Sequence, residues 1–171
     1  MNFYHYTTAF TEIEELGGFE KTIEVAKDVR SNEGRVYFVG NGGSAAIASH
    51  MAVDWMNKAH FDACALNDPA SLTCFANDYG YENVFSIPLA KSCTKNDLLI
   101  AISSSGKSKN ILNAVHTARR QAARTVTLTG FDVDNPMRHL GNANFYVPSH
   151  NYGVVETVHL GILHMLLEAL C

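Results

Sequence analysis

The chain has 171 residues, 47% of them hydrophobic and 18% charged, a length that supports one hydrophobic core and therefore a single domain spanning 1–171. Thirteen Lys and Arg residues against 17 Asp and Glu give a formal net charge of −4, which argues against nucleic-acid binding through a general positive surface. The apolar runs of the strand-like segments are far shorter than a membrane span, and the first residues show no basic-then-apolar leader, so we expect no membrane association and a cytoplasmic location.

The first 33 residues show a helical pattern. Apolar side chains recur at steps of three and four residues from Phe10 to Leu16 and again from Phe19 to Val29. This spacing predicts an amphipathic helix or a pair of helices, with a break at Gly17-Gly18. We therefore expect an N-terminal helical segment over 1–33 and an α/β core over 34–171.

From residue 35 onward, short apolar runs alternate with longer stretches of helical period, which is typical of parallel strands joined by helical crossovers. The expected fold is a three-layer α/β/α sandwich, of the flavodoxin-like or Rossmann-like kind, around a five-stranded parallel sheet. The predicted strands are Arg35–Val39, Asp62–Leu66, Asp97–Ser103, Arg124–Thr129 and Asn144–Val147. The predicted helices are Ser44–Asn57, Ala70–Asn77, Glu82–Lys91, Ser108–Ala122 and Val154–Leu170.

The last predicted helix is apolar almost all round, which is typical of a helix buried on more than one side. In a chain this small, it predicts a subunit interface. The four cysteines form no CxxC pair and lie in or beside apolar stretches, so we expect reduced, partly buried thiols at Cys64, Cys74, Cys93 and Cys171.

Ligands of open parallel sheets bind at the carboxyl ends of the strands, and the loop after the first predicted strand of the core is rich in glycine. It reads Gly40-Asn-Gly-Gly-Ser44 and opens a helix. With Ala45 it fits a relaxed dinucleotide-binding pattern, but that pattern also needs an acidic residue at the end of the second strand. Asp68 is a displaced candidate for that role, so the match is weak.

A serine-rich loop, Ser103–Ser108, follows the third predicted strand and opens another helix. Its Gly-Lys-Ser ending is not a P-loop, because that motif needs a glycine where this chain has Ala101. Hydroxyls and backbone N–H groups at a helix start are suited to binding one phosphate monoester. The alternative is a serine-rich helix cap, which we disfavour because four serines surround one glycine beside a second glycine-rich loop.

Histidines and carboxylates share faces of two predicted helices. His50 and Asp54 are four residues apart, and Glu156 and His164 are eight apart. Two imidazoles and two carboxylates can form a zinc site. Any one of these histidines, taken alone, is more often a surface or core residue, and His159 is a rival ligand because it lies three residues after Glu156.

Four segments together resemble the sugar isomerase (SIS) domain family, and most closely its phosphoheptose isomerase branch. They are Gly40-Asn-Gly-Gly-Ser44, Ala76-Asn-Asp-Tyr-Gly80, Ile102-Ser-Ser-Ser-Gly-Lys-Ser108 and Leu128-Thr-Gly130. The resemblance runs from about residue 30 to the C-terminus and implies a sugar-phosphate substrate and a homotetramer whose sites are shared between subunits. It assigns the phosphate contacts to Ser103, Ser104, Ser105 and Ser108, and the sugar contacts to Asn41, Gly42, Ser44, Asn77 and Asp78.

The resemblance also implies a zinc site that supplies acid and base, formed by His50, Asp54, Glu156 and His164. This sequence departs from the family there, with Asp54 for a glutamate and Glu156 for a glutamine, and also with Gly153 for an aspartate and Lys58 for an arginine. Two carboxylates at close quarters would raise the pKa of at least one unless a metal neutralised them. The shorter reach of Asp54 favours Glu156 as the base, with His164 as its proton-transfer partner.

Three functions are therefore open at this point. The leading hypothesis is a metal-dependent aldose–ketose isomerase that acts on sedoheptulose 7-phosphate, with Asp54, Glu156 and His164 as catalytic residues. The second is a non-catalytic SIS module that binds a sugar phosphate or a partner protein, like the family's replication initiator-associating member. The third, a dinucleotide-dependent oxidoreductase, rests on the glycine pattern alone.

Overall fold

The structure is a computed structural model that describes residues 3–16 and 18–171. Its first elements in chain order are α1 (Tyr4–Thr11), β1 (Glu14–Leu16), α2 (Gly18–Ser31), β2 (Arg35–Val39), α3 (Gly43–Ala59), β3 (Asp62–Ala65) and α4 (Pro69–Tyr79). A 3₁₀ turn (Tyr81–Asn83) is followed by α5 (Ser86–Ser92), β4 (Leu98–Ser103), α6 (Lys109–Arg120), β5 (Arg124–Gly130), β6 (Ala143–Val147) and α7 (Tyr152–Leu170).

The described residues form one sheet in the order β1-β6-β5-β4-β2-β3. All neighbours are parallel except β1, which pairs antiparallel with β6. Side chains alternate between two buried layers, so that Phe38 and Ile100 face α2, α3 and α7, while Tyr37 and Leu99 face α5 and α6. This is the predicted three-layer α/β/α sandwich, and all five predicted strands are present within a residue or two.

The sheet has six strands rather than five, because the N-terminal segment is not wholly helical. The prediction of a helical segment over 1–33 is wrong at β1, whose three residues are too few to show a strand period among apolar positions at helical spacing. An ion pair between Glu14 and Arg138 holds β1 in place, and the Arg138 guanidinium lies 4.2 Å from the centre of the Tyr146 ring. The predicted break at Gly17-Gly18 falls partly on Gly17, which lies outside the described residues.

The predicted helix over Glu82–Lys91 is divided in the structure. A 3₁₀ turn occupies its start, and α5 begins only at Ser86. Pro88 lies in the first turn of α5, where its missing N–H is tolerated, and a helix begun at Glu82 would have placed it in the interior.

Helix α7 is apolar on most of its surface, as predicted. With 19 residues and a mean hydropathy of 1.4 it is long and apolar enough to cross a membrane, but half of it is buried within the fold. It packs against α1, α2 and α3 over a row of buried side chains that includes Val158, Ile162 and Leu166. This burial is typical of the core helix of a globular domain.

One arginine joins the far ends of α3 and α7. The Nη1 atom of Arg30 donates hydrogen bonds of 3.0 Å to the carbonyl oxygens of Ala59 and Leu170. The guanidinium also lies 5.1 Å from the centre of the Phe61 ring. Helix C-termini leave carbonyl groups without partners, and this cation satisfies one in each helix.

Candidate active site

A polar pocket of about 120 Å³ opens at the carboxyl end of β4, as expected for a parallel sheet. Its volume corresponds to roughly four water molecules, enough for a phosphate group. It is lined by Asn41, Ser44, Ile102, Ser103, Ser104, Ser105, Ser108, Tyr152 and Glu156. The structure therefore brings all four predicted phosphate-binding serines together with two of the predicted sugar-binding residues.

Two hydroxyl groups of the pocket, those of Ser104 and Ser108, are available to a ligand. Ser108 is the residue before α6, and its side chain makes no capping hydrogen bond to the helix. Ser104 Oγ is buried and has no hydrogen-bond partner among the described residues. The first N–H groups of α6 lack helical acceptors, so this helix start presents donors to an anion. The alternative of a simple serine cap loses support, because the capping bond is missing.

The backbone of the serine loop is tightly specified. Gly106 has φ +62°, a conformation that favours glycine, and a Cβ at this position would overlap the side chain of Asn135. Its N–H donates to Ser103 Oγ at 3.1 Å and to the carbonyl of the same residue at the same distance. The loop therefore holds its shape through local bonds as well as through packing.

The glycine-rich loop forms the second wall of the pocket. The side-chain amides of Asn41 and Asn110 exchange two hydrogen bonds, at 2.9 and 2.8 Å, and the Tyr81 hydroxyl donates to Asn41 Oδ1 at 3.2 Å. Ser44 is buried in the first turn of α3, whereas Gly42 is exposed with φ +54° just before that helix.

The predicted sugar contacts on α4 lie elsewhere. Asn77 and Asp78 are exposed near the end of that helix and are hydrogen-bonded to each other at 2.8 Å. Neither is among the residues that line the serine pocket. Their role as sugar contacts stays a prediction.

A second cluster joins α3 and α7. Among the described residues, the side chains of His50, Asp54 and His164 place their potential ligand atoms within 4.8 Å of one another. His50 Nε2 lies 3.7 Å from Asp54 Oδ2, and the two imidazole rings have centres 5.4 Å apart. Three of the four predicted metal ligands therefore form a possible metal site.

The donor types and spacing suit a metal such as zinc. Imidazole nitrogens and a carboxylate are common zinc ligands, and ligand atoms around a tetrahedral zinc lie about 3.4 Å apart. The 3.7 Å separation of His50 and Asp54 is close to that value, and the exposed His50 ring is free to turn toward the other two.

Lys58 also contacts the cluster. Its Nζ donates to Asp54 Oδ2 at 3.0 Å, and this hydrogen bond is the main reason that the pKa of Asp54 is lowered. The expected repulsion between Asp54 and Glu156 therefore does not determine the pKa of Asp54. Its carboxylate is neutralised by Lys58, one helical turn away. A metal at this site would compete with Lys58 for the same oxygen.

Glu156 lies apart from the cluster. It precedes His164 by eight residues, a separation of about 12 Å along the axis of α7. Its carboxylate lies against Gly43 at the start of α3, in a space that any larger residue at position 43 would fill. Within one chain, Glu156 belongs to the serine pocket and the other three residues to the cluster.

His159, the rival ligand, faces the core. Its side chain is fully buried, and Nε2 donates to the carbonyl of Thr129 at 3.1 Å while Nδ1 has no partner among the described residues. Burial lowers the pKa of His159 to about 4, so the ring is neutral. It is a structural residue.

Sequence reasoning missed one residue of the pocket lining and one residue that positions it. Tyr152 lines the pocket from the first turn of α7, and Asn110 fixes Asn41 from α6. No sequence motif marks Tyr152. The available signal was its position between the last predicted strand and the last predicted helix. Asn110 lies two residues beyond the serine loop. The available signal was a polar amide at a position that the helical period places on the apolar face of α6.

The serine pocket lies at the carboxyl ends of the strands of a parallel α/β sandwich, and the residues that line it include no lysine or arginine. The family model described as SIS domain matches residues 3–130. The phosphoheptose isomerase of Helicobacter pylori strain HPAG1 is 37% identical over 145 residues, which are 81% of this chain and 75% of the relative. That of Akkermansia muciniphila is 34% identical over 158 residues, 89% of this chain and 83% of the relative.

The solved structure of phosphoheptose isomerase GmhA from Neisseria gonorrhoeae superimposes with a TM-score of 0.83 at 29% identity, covering 90% of this chain and 85% of that one. The chain belongs to the SIS domain family, in its phosphoheptose isomerase branch, and is an isomerase. The resemblance found in the sequence is confirmed.

Proposed function

We propose that the protein interconverts sedoheptulose 7-phosphate and D-glycero-D-manno-heptose 7-phosphate in the cytoplasm, and so supplies heptose for surface polysaccharide such as lipopolysaccharide. The observation that carries this proposal is that one helix serves both functional clusters. Helix α3 contributes Ser44 to the serine pocket and, two to three turns later, His50 and Asp54 to the possible metal site. The relatives that support the substrate assignment are all named phosphoheptose isomerase.

The phosphate of the substrate binds at the start of α6. Ser103, Ser104, Ser105 and Ser108 surround it, and the unpaired N–H groups of the helix compensate its charge without a cationic side chain. Asn41, Gly42 and Ser44 contact the sugar from the second wall. Asn77 and Asp78 supply hydroxyl contacts at the far end of the sugar.

Zinc is the cofactor we propose for the cluster, held by His50, Asp54 and His164 and completed by Glu156. When bound there, zinc polarises the oxygens on the two reacting carbons. Because Glu156 of the same chain lies at the serine pocket, the fourth ligand comes from a second copy in a homotetramer with shared sites. Most apolar side chains of α7 are buried within the chain, and the exposed Tyr152 and Met165 are the large ones it offers to such a contact.

The reaction moves one proton between neighbouring carbons. A base removes a proton from the hydroxymethyl carbon next to the ketone, which gives a cis-enediol, and the same proton returns to the former carbonyl carbon. The proton of the terminal hydroxyl meanwhile moves to the neighbouring oxygen. Asp54 and Glu156 are the carboxylates for the carbon proton, and His164 carries the proton between the oxygens.

A direct test is to incubate zinc-loaded protein with sedoheptulose 7-phosphate and measure formation of the aldose. The His164→Ala variant should lose both turnover and tight zinc binding, because it removes one of the four proposed ligands. His116→Ala, which removes an exposed histidine from α6, is the matched control and should keep both. Turnover that survives in His164→Ala would refute the site assignment.

The competing functions have their own observations. A non-catalytic SIS module has little reason to keep a zinc site, so zinc at less than stoichiometric amounts by elemental analysis would favour it. A dinucleotide-dependent oxidoreductase needs an acidic residue for the ribose, and the candidate Asp68 is used as the cap of α4, where it accepts from Ser71 N at 3.0 Å. If nicotinamide fluorescence does not change when the protein is mixed with a reduced nicotinamide dinucleotide, the oxidoreductase hypothesis is refuted.

A further inference from the structure

The carboxylate of Asp132, in the loop after β5, connects three loops at the carboxyl edge of the sheet. One oxygen accepts a 2.6 Å hydrogen bond from Lys107 Nζ, in the serine loop. The other lies 3.1 Å from Nε2 of His150, in the loop before α7. These contacts lower the pKa of Asp132, with the Lys107 hydrogen bond as the main cause. A single side chain therefore joins the serine loop to the loop that leads into Tyr152, and both the serine loop and Tyr152 line the pocket.

The loop that carries Asp132 also packs against the serine loop from below. The N–H of Gly130 donates to the carbonyl of Ser104 at 2.9 Å. Asn135 is fully buried against Gly106, and its Nδ2 donates at 2.8 Å to the carbonyl of Asp132. Residues 130–135 thus contact the serine loop at Ser104, Gly106 and Lys107, and the Lys107–Asp132 pair is the solvent-exposed one of these contacts.

We propose that Asp132 is a positioning residue that holds the serine loop in its phosphate-binding shape and thereby sets the affinity for the phosphate of the substrate. The inference rests on the proposed function, since it takes the serine loop to be a phosphate site. A carboxylate close to an anion pocket disfavours phosphate by its charge alone. Its benefit must therefore come from the geometry that it imposes on the serine loop through Lys107, because preorganised hydroxyl and N–H donors bind an anion more tightly than mobile ones.

Charge and position predict opposite results when this carboxylate is neutralised. Asp132→Asn removes one negative charge near the pocket, which by electrostatics alone would tighten phosphate binding. If Asp132 positions the serine loop, the same substitution weakens phosphate binding instead. Asp134→Asn is the matched control, because Asp134 is an exposed aspartate of the same loop and its substitution removes the same charge.

The experiment measures the dissociation constant of inorganic phosphate by calorimetry, and KM and kcat with sedoheptulose 7-phosphate. For Asp132→Asn we expect the phosphate dissociation constant and KM to rise about threefold to tenfold, the effect of losing two contacts of a surface ion-pair network. The kcat should stay within about twofold, because the groups on α3 and α7 are untouched. Asp134→Asn should bind phosphate as the wild type does, or slightly more tightly.

A second variant tests whether the effect passes through the lysine. Lys107→Met should weaken phosphate binding, and the double variant with Asp132→Asn should be no weaker than the worse single variant, since both remove the same contact. Asp132→Glu, which keeps the charge and the acceptor, should recover part of the affinity. Thermal unfolding of each variant checks that these exposed substitutions leave the fold intact.

Several outcomes would overturn the proposal. They are an Asp132→Asn affinity equal to that of Asp134→Asn, phosphate binding by Asp132→Asn that is tighter than in the wild type, and full additivity of the two single variants in the double variant. A wild-type protein that binds phosphate but does not turn over sedoheptulose 7-phosphate would refute the proposed substrate, while the phosphate affinities still decide the role of Asp132. A wild-type protein without phosphate affinity would overturn both.

Discussion

The buried histidine of α7 makes the stability of this protein depend on pH in a predictable window. His159 is fully enclosed, donates to the carbonyl of Thr129, and has its pKa lowered to about 4 from an ordinary value of 6.5. The folded state therefore keeps the ring neutral over a range in which the unfolded chain protonates it. Because the unfolded state binds more protons below pH 6.5, stability falls as the pH drops from about 6.5 to about 4 and is unaffected by this group above that range.

The size of the effect follows from the difference between the two pKa values. At 1.36 kcal/mol per pKa unit, the full loss is about 3.4 kcal/mol below pH 4, and at pH 5 it is about 2 kcal/mol. Asp54 and Asp132, whose pKa values are lowered from 3.8, lose their contributions only below about pH 4. Among the shifted groups, His159 alone acts between pH 7 and pH 5.

Urea unfolding at pH 7 and pH 5, followed by the fluorescence of the single buried Trp55, measures this difference. The variant His159→Gln keeps an N–H donor for Thr129 but cannot be protonated. It should be less stable than the wild type at pH 7 and should lose about 2 kcal/mol less than the wild type on going to pH 5. His116→Gln is the exposed control and should follow the wild type.

Metal-free protein at one fixed concentration should be used throughout, so that zinc binding and subunit association do not enter the comparison. If His159→Gln loses as much stability as the wild type between pH 7 and pH 5, the reasoning from burial is refuted. The same conclusion would hold if the wild type were equally stable at both values.

Three further predictions concern single substitutions or reagents. Gly106→Ala forces an alanine into a positive φ and against a buried side chain, so we expect a loss of about 1 to 3 kcal/mol in urea unfolding and a clear loss of phosphate affinity; unchanged affinity would contradict it. Lys58→Gln removes the competitor for Asp54, and the zinc dissociation constant from chelator competition should fall about twofold to fivefold; weaker binding would show that the lysine assists the site. Iodoacetamide at pH 8 should alkylate the exposed Cys74 quickly and spare Cys93, whose pKa burial raises to about 12, as read by mass spectrometry; equal rates would contradict this.

The parts of the fold that were predictable from the sequence are those with a strong local signal. Strands such as Leu98–Ser103 are apolar throughout because they are covered on both faces, and their boundaries are correct within a residue or two. The serine loop was predictable because a parallel sheet places the loops that follow its strands at one edge. A motif directly after a predicted strand is therefore expected at that edge. The four cysteines are free, as their spacing predicted, but the expected burial is wrong for Cys74 and Cys171, which are exposed.

The remaining features depend on contacts between distant segments. The strand Glu14–Leu16 exists because β6 offers an open edge and Arg138 an ion-pair partner, neither of which is visible within the first 33 residues. The separation of Glu156 from His164 follows from their eight-residue spacing, but only the packing of α7 shows that Glu156 faces the serine pocket at the start of α3 and that His164 faces His50 and Asp54 further along that helix.

The arginine at the far ends of α3 and α7 has a consequence for the tuning of the metal cluster. Arg30 fixes the last turns of both helices, about 8 to 9 Å along the axes from Asp54 and His164, at a point that no ligand reaches. Since rigid helices transmit a displacement at one end to the other, a change at Arg30 would alter the spread of the donors without touching any of them. The affinity of the proposed zinc site would thus depend on residues that lie far from the ligands, and random mutagenesis selected for zinc retention should recover changes around this arginine as well as at the ligands.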